Sequence, residues 1–168
     1  MKKIGLGILI GILLPFAAGY IFLISGGMPV ATKGPALPLE EFVARTALSA
    51  AMKGQIGGES PVPSDEVNFL AGAKVFKVNC AVCHGLPNEK ASAIAKGLFP
   101  APPQLFGDEM VTDDAVGKIY WKVKNGIRLT GMPGFVDSLS ETEIWQVSDL
   151  LQKADKLPPA IMESLKAK

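Results

Sequence analysis

The sequence predicts an all-α protein, with one N-terminal transmembrane helix ahead of a small domain of three main helices. Residues 4–24 form an unbroken apolar run, and three later segments repeat apolar residues at helical spacing between start and stop signals. No segment alternates apolar and polar residues as a half-exposed strand does. A length of 168 residues allows one small domain plus an appendage.

The apolar run predicts the membrane element. Its 21 residues would extend roughly 30 Å as a helix, about the thickness of a bilayer core. Lys2 and Lys3 precede it, which favours a cytoplasmic N-terminus and an exported C-terminal part. The alternative is a cleaved signal peptide, but the run is long for one, and only Ser25-Gly26-Gly27 offers a weak cleavage site. We therefore interpret 1–27 as an uncleaved signal anchor.

Residues 28–63 have the composition of a linker and contain one short amphipathic helix near 39–53. Glu40 and Glu41 suit the first turn of that helix, and Gly54 follows its end. Its apolar stripe is expected to dock on the following domain or on a partner, and consists of Phe42, Val43, Thr46, Ala47 and Ala50.

Residues 64–157 carry the three main helices, and 158–168 form a C-terminal tail. The first helix is capped by Ser64 or Asp65 and runs to about Asn79. Its apolar face consists of Phe69, Gly72, Ala73 and Phe76. The second is expected to start at Thr112-Asp113-Asp114 and to end at Asn125-Gly126, with a stripe of Val116, Ile119, Tyr120 and Val123. A capping box, Ser140-x-x-Glu143, opens the third.

The sequence Cys80-Ala-Val-Cys83-His84 contains both cysteines and the single histidine of the chain. This C-x-x-C-H pattern is that of covalent haem c attachment. Residues three apart share a helix face, so both thiols can reach one edge of a porphyrin while His84 binds the iron. A redox C-x-x-C would need a βαβ context, and a zinc site would need a fourth ligand. Haem c fits better than either, with one haem per chain.

The second axial position has no histidine available, so it must hold a methionine, another weak ligand or nothing. Of the six methionines, Met132 lies in a turn-rich loop, Thr-Gly-Met-Pro-Gly-Phe, whose glycines permit unusual backbone angles. The alternative for Met132 is packing in the core under that loop. A thioether ligand would favour ferrous iron and raise the reduction potential.

Other side chains are candidates for the surroundings of the haem. Arg128, Tyr120 and Trp121 could bond the haem propionates, with core packing as the alternative for the two aromatics and a solvated surface charge for Arg128. Leu105 could form part of the haem wall. The formal net charge of +1 gives no support for a nucleic-acid partner.

Residues 68–157 resemble a small bacterial monohaem cytochrome c of class I with His/Met ligation. The resemblance implies the cytochrome c fold, with three main helices around one covalent haem and a close crossing of the first and last helices. Gly72, Phe76 and Trp145 match the crossing positions. It also implies that Met132 is the axial ligand and that Pro102 or Pro103 supplies the carbonyl that orients His84.

Arg45 and two stretches, 102–105 and 126–133, are similar to those of membrane-anchored monohaem cytochromes. A haem with His and Met in both axial positions favours one-electron transfer over substrate turnover, so we expect an electron-transfer protein of the respiratory chain and not an enzyme. It would lie in the bacterial cytoplasmic membrane with its haem domain on the periplasmic side. There it would pass electrons between redox partner proteins. The alternatives are a redox or assembly subunit of a larger membrane respiratory complex, and a haem gas sensor or enzyme.

Overall fold

The computed structural model describes residues 2–56, 58–107 and 109–167. The described residues form eight α-helices and contain no strand, which confirms the all-α prediction. Internal contacts divide the chain into one unit that ends at Glu40 and a second that begins at Glu41.

The first unit contains α1, Lys2–Ile24, a helix of 23 residues. Within it, residues 3–24 have the length and composition of a membrane span, with a mean hydropathy of 2.4. Signal sequences near an N-terminus share these properties. Pro15 lies inside the helix, where a bilayer-spanning segment tolerates it.

The second unit begins within α2, Glu40–Met52, close to the helix expected at 39–53. The end of α2 contacts the domain, since Met52 is buried and the Trp121 indole donates to Gln55 Oε1 at 3.3 Å. The predicted apolar stripe does not take part, because Phe42 and Val43 remain 67% and 59% exposed. The expectation that this stripe docks on the domain is therefore wrong.

The core of the second unit is the crossing of α3, Glu66–Asn79, with α7, Glu141–Gln152. The two backbones meet at Gly72, where an added Cβ would lie 2.8 Å from the Gln146 carbonyl carbon. Asp65 caps α3 by accepting from the Asn68 N–H at 2.9 Å. The capping box of Ser140 and Glu143 is present at the start of α7, as the sequence predicts.

The remaining main helix, α6, spans Val116–Asn125 and packs on α7. Its start lies later than Thr112-Asp113-Asp114, and Ala115 occupies the cap position. Asp114 does not cap the helix because its carboxylate instead binds Lys118 and Lys122, at 2.6 and 3.1 Å. Gly126, with φ 67°, ends α6 as expected.

Three short helices complete the domain. They are α4, Ala81–His84; α5, Ala93–Gly97; and α8, Pro159–Lys166. The C-terminal tail thus contains a helix that packs on α3, with Ile161 and Leu165 fully buried. The Lys77 ammonium donates to the carbonyls of Ser164 and Ala167 at 2.9 and 2.6 Å, which satisfies the end of α8.

Candidate functional site

The C-x-x-C-H motif occupies one short helical turn that continues from α3. Cys80 ends α3, its N–H donating to the Phe76 carbonyl at 2.8 Å, and it also caps α4. The His84 N–H donates to the Cys80 carbonyl at 2.9 Å, and Gly85 ends the turn with φ 70°. This turn is attached directly to the helix crossing, so the core fixes its position.

An apolar cleft opens beside this turn and brings four of the predicted residues together. The motif turn contributes Cys80, Cys83 and His84 to its lining, and the loop after α6 contributes Met132. The other predicted residues among its walls are Pro102, Pro103 and Leu105. Side chains of α6 and its following loop add to the lining, and include Ile119, Lys122, Val123, Ile127 and Phe135.

His84 is held by one backbone contact. Its Nδ1 lies 2.8 Å from the Pro103 carbonyl oxygen, the geometry of an Nδ1–H donor. Burial lowers the pKa of His84, although the hydrogen bond to Pro103 opposes that shift. The neutral imidazole is the form that binds metals, and a bonded Nδ1 leaves Nε2 for that purpose.

Gln104, which the sequence does not single out, supports two segments that line the cleft. Its amide Nε2 lies 3.4 Å from both the Cys83 and Pro102 carbonyl oxygens, so it joins the proline-rich loop to α4. Gly85 contacts the same side chain, because an added Cβ would lie 3.4 Å from the Gln104 amide carbon. The only indication of this role in the sequence was the position of Gln104 within the Pro-Pro-Gln-Leu stretch at 102–105.

Met132 is half-buried in a loop stabilised by its own hydrogen bonds. The Thr130 hydroxyl donates to the Ile127 carbonyl at 2.7 Å and accepts from the Met132 N–H at 3.1 Å. The Ile127 N–H donates to the Met132 carbonyl at 3.1 Å. Gly126 allows the loop to close, since a Cβ there would lie 2.8 Å from the Met132 carbonyl oxygen.

Three predicted residues do not line the cleft. Helix α6 presents Ile119, Lys122 and Val123 to it, at the spacing of one helix face, so Tyr120 and Trp121 lie on other faces. Tyr120 instead stacks on Trp145 with ring centroids 3.9 Å apart, and its hydroxyl donates to Glu141 Oε1 at 2.9 Å.

Trp121 also lies outside the cleft lining, and its indole donates a hydrogen bond to Gln55. Arg128 does not line the cleft either, and its side chain is exposed next to the cleft-lining Ile127. The cation that does line the cleft is Lys122. It shares the Asp114 carboxylate with Lys118. Burial opposes ionisation of Asp114, but these two ammonium groups outweigh it and lower its pKa.

The cleft fits a haem c by the chemistry of its walls. Apolar side chains surround two thiols, one imidazole and one thioether, the groups that attach and bind a haem. Burial, reinforced by Cys83, raises the pKa of the Cys80 thiol to about 12, so the unreacted thiol stays neutral near neutral pH. Among the described residues, no cluster of His, Cys, Asp and Glu suits a bare metal ion, as the zinc alternative would require.

A comparison with protein families agrees with this chemistry. The family model for cytochrome c oxidase, cbb3-type, subunit III matches residues 67–151, just over half of the 168 residues. No curated protein gives a significant match. Among solved structures, a chain of the reducing HAO-like protein complex of Kuenenia stuttgartiensis is 24% identical with a TM-score of 0.48. The alignment covers 56% of this chain and 46% of that one, less than half of its length.

The family match spans α3 to α7 and therefore includes the motif turn, the proline-rich loop and the Met132 loop. The chain belongs to this cytochrome c family.

Proposed function

We propose that the protein is a membrane-tethered one-electron carrier with a single haem c, bound through Cys80 and Cys83 and ligated by His84 and Met132. The observation that carries this proposal is that all four side chains line one apolar cleft. The carrier would pass electrons between respiratory or periplasmic redox partners. The haem supplies the Fe(II)/Fe(III) couple when bound.

The residues of the chain have separate parts in this proposal. Cys80 and Cys83 hold the porphyrin edge, and the Pro103 carbonyl keeps the His84 ring aimed into the cleft. Met132 would offer its thioether to the iron, and a thioether ligand would favour ferrous iron and raise the reduction potential. The apolar walls exclude water, which favours the less charged ferrous state.

The ligation is tested by replacing Met132. Met132→Ala is expected to abolish the weak sulfur-to-iron absorption band of the ferric protein, lower its reduction potential and open the ferrous iron to carbon monoxide. The matched control is Met110→Ala, because Met110 is 44% exposed and lies outside the cleft. An unchanged spectrum in Met132→Ala would remove Met132 from the ligand set.

The attachment is tested separately. Haem should stay with the denatured polypeptide through acid–acetone extraction, and the intact mass should exceed that of the chain by one haem. Cys80→Ser and Cys83→Ser together should release the haem. A mass increase of two haems, or none, would contradict a single covalent haem.

The location follows from α1 and the two lysines before it. We propose a single-pass protein of the bacterial cytoplasmic membrane, with the N-terminus cytoplasmic and the haem domain on the periplasmic side. Supporting results would be haem in alkali-washed membranes and a mass that includes residues 4–24. Soluble haem protein lacking these residues would favour the cleaved signal peptide.

A second candidate function is that of a redox or assembly subunit of a larger membrane respiratory complex. The description of the matching family as an oxidase subunit favours it. Purification from detergent-solubilised membranes, with the haem spectrum followed through the columns, separates a free carrier from a subunit. An assembly role would also survive in a haem-less Cys80→Ala/Cys83→Ala variant, whereas an electron carrier would lose all activity.

A further inference from the structure

Helix α2 has an apolar face that the rest of the second unit leaves uncovered. Its residues, at i, i+1, i+4, i+5 and i+8, are Phe42, Val43, Thr46, Ala47 and Ala50, and all five are exposed. We call this face the α2 stripe. The side of α2 that meets the domain is instead marked by the half-buried Leu48 and the buried Met52. The helix therefore has two apolar sides, of which only one is covered.

We propose that the α2 stripe lies on the lipid surface of the membrane that holds α1. This inference rests on the proposed membrane anchor. Residues 25–39 are the only chain between the two helices, and 15 residues span at most roughly 50 Å. The stripe is thus confined near the bilayer, which raises its effective concentration at the lipid surface.

The small area of the stripe favours lipid over a protein partner. Phe42 supplies the largest share, and the five residues together expose on the order of 300 Å² of apolar surface. A stable protein–protein interface needs about 800 Å² from each partner. A helix already tethered to the membrane does not need this area, because the anchor has removed most of the entropy of association.

The charges of α2 define what kind of lipid surface fits. Glu40, Glu41, Arg45 and the following Lys53 sum to zero, and Arg45 Nε pairs with Glu41 Oε1 at 2.8 Å. Anionic headgroups therefore gain nothing over zwitterionic ones. Adsorption should depend on the apolar side chains, and neither salt nor anionic lipid should change it strongly.

The test uses the full-length holoprotein in phosphatidylcholine nanodiscs, with one nitroxide label in each variant. The labels are attached at Ala50→Cys in the stripe and at Ala44→Cys on another exposed face of α2. Collision rates are compared for oxygen, which partitions into lipid, and for a neutral nickel complex, which stays in water. We expect the oxygen-to-nickel ratio to be several-fold higher at position 50 than at position 44, and unchanged by anionic lipid.

Two further variants make the outcome unambiguous. Phe42→Ser with Val43→Ser should return the label at position 50 to the aqueous ratio. A label at Ile12→Cys in α1 reports the anchor itself, so an aqueous signal there would mean that the anchor, and this inference with it, has failed. A lipid signal at position 12 with equal ratios at 44 and 50 overturns the α2 proposal alone. A label at 50 that neither probe reaches also overturns it, in favour of a protein contact.

Discussion

The two segments that bring the predicted haem-binding side chains to the cleft are built in different ways. The motif turn, Cys80–His84, continues from α3 and is fixed by the crossing with α7, where two backbones touch. The Met132 loop is closed mainly by four local hydrogen bonds and Gly126, and it carries Leu129 with φ 62° and 93% exposure. Perturbing the helix crossing should therefore destabilise the domain, whereas perturbing the Met132 loop should mainly change the proposed ligation.

The largest effect is expected at the helix crossing. Gly72→Ala places a methyl group against the Gln146 carbonyl, and separating the helices should cost about 1–3 kcal/mol of unfolding free energy. Denaturant unfolding of the holoprotein measures it. The control is Gly97→Ala in α5, where a Cβ meets nothing within 4 Å, so stability should stay equal or rise slightly. Equal effects of the two changes would contradict the role of the crossing.

A smaller effect on stability, with a larger one on ligation, is expected at Thr130. Thr130→Val removes the hydroxyl that joins Ile127 to Met132 and should cost about 1 kcal/mol. Since the loop then aims Met132 less well, carbon monoxide should bind the ferrous protein several-fold faster in stopped-flow measurements. Thr142→Val, at an exposed position of α7, should leave that rate unchanged.

The ion pairs of Asp114 with Lys118 and the cleft-lining Lys122 predict a pH dependence of stability. Burial alone would raise the pKa of Asp114, but Lys118 and Lys122 lower it overall. The folded state then gains stability from this carboxylate above the ordinary carboxyl pKa, and loses that gain as the pH falls through the lowered value. Asp114→Asn should lower the unfolding free energy by up to about 1 kcal/mol at neutral pH and by nothing in strong acid. The exposed Asp113→Asn should show no such profile in denaturant titrations at each pH.

The smallest effect is expected at Leu129. Its positive φ costs about 1 kcal/mol for a residue with a Cβ, and glycine would recover part of this at an entropic cost of its own. Leu129→Gly should therefore raise the unfolding free energy by about 0.5 kcal/mol, while Leu129→Ala, which keeps the strain, should not. A destabilised glycine variant would mean that the exposed leucine side chain stabilises the loop.

The features that the sequence predicted correctly are those that depend on residues close together along the chain. The Ser140–Glu143 capping box, the end of α6 at Gly126 and the all-α fold follow local rules, and the structure confirms them. The positions of Tyr120 and Trp121 depend on which face of α6 meets the cleft, and that is set by packing against α7. The start of α6 differs from the prediction for a similar reason. The Asp114 carboxylate forms ion pairs with two lysines and does not cap the helix N-terminus.

The contact between α3 and α8 has a practical consequence for recombinant work. The family match ends at residue 151, yet Ile161 and Leu165 lie beyond it and pack, fully buried, in the same core. A soluble fragment trimmed to 67–151 would leave the α3 surface bare and prone to aggregation. The expression boundary for the haem domain therefore lies after Ala167, whose carbonyl Lys77 binds.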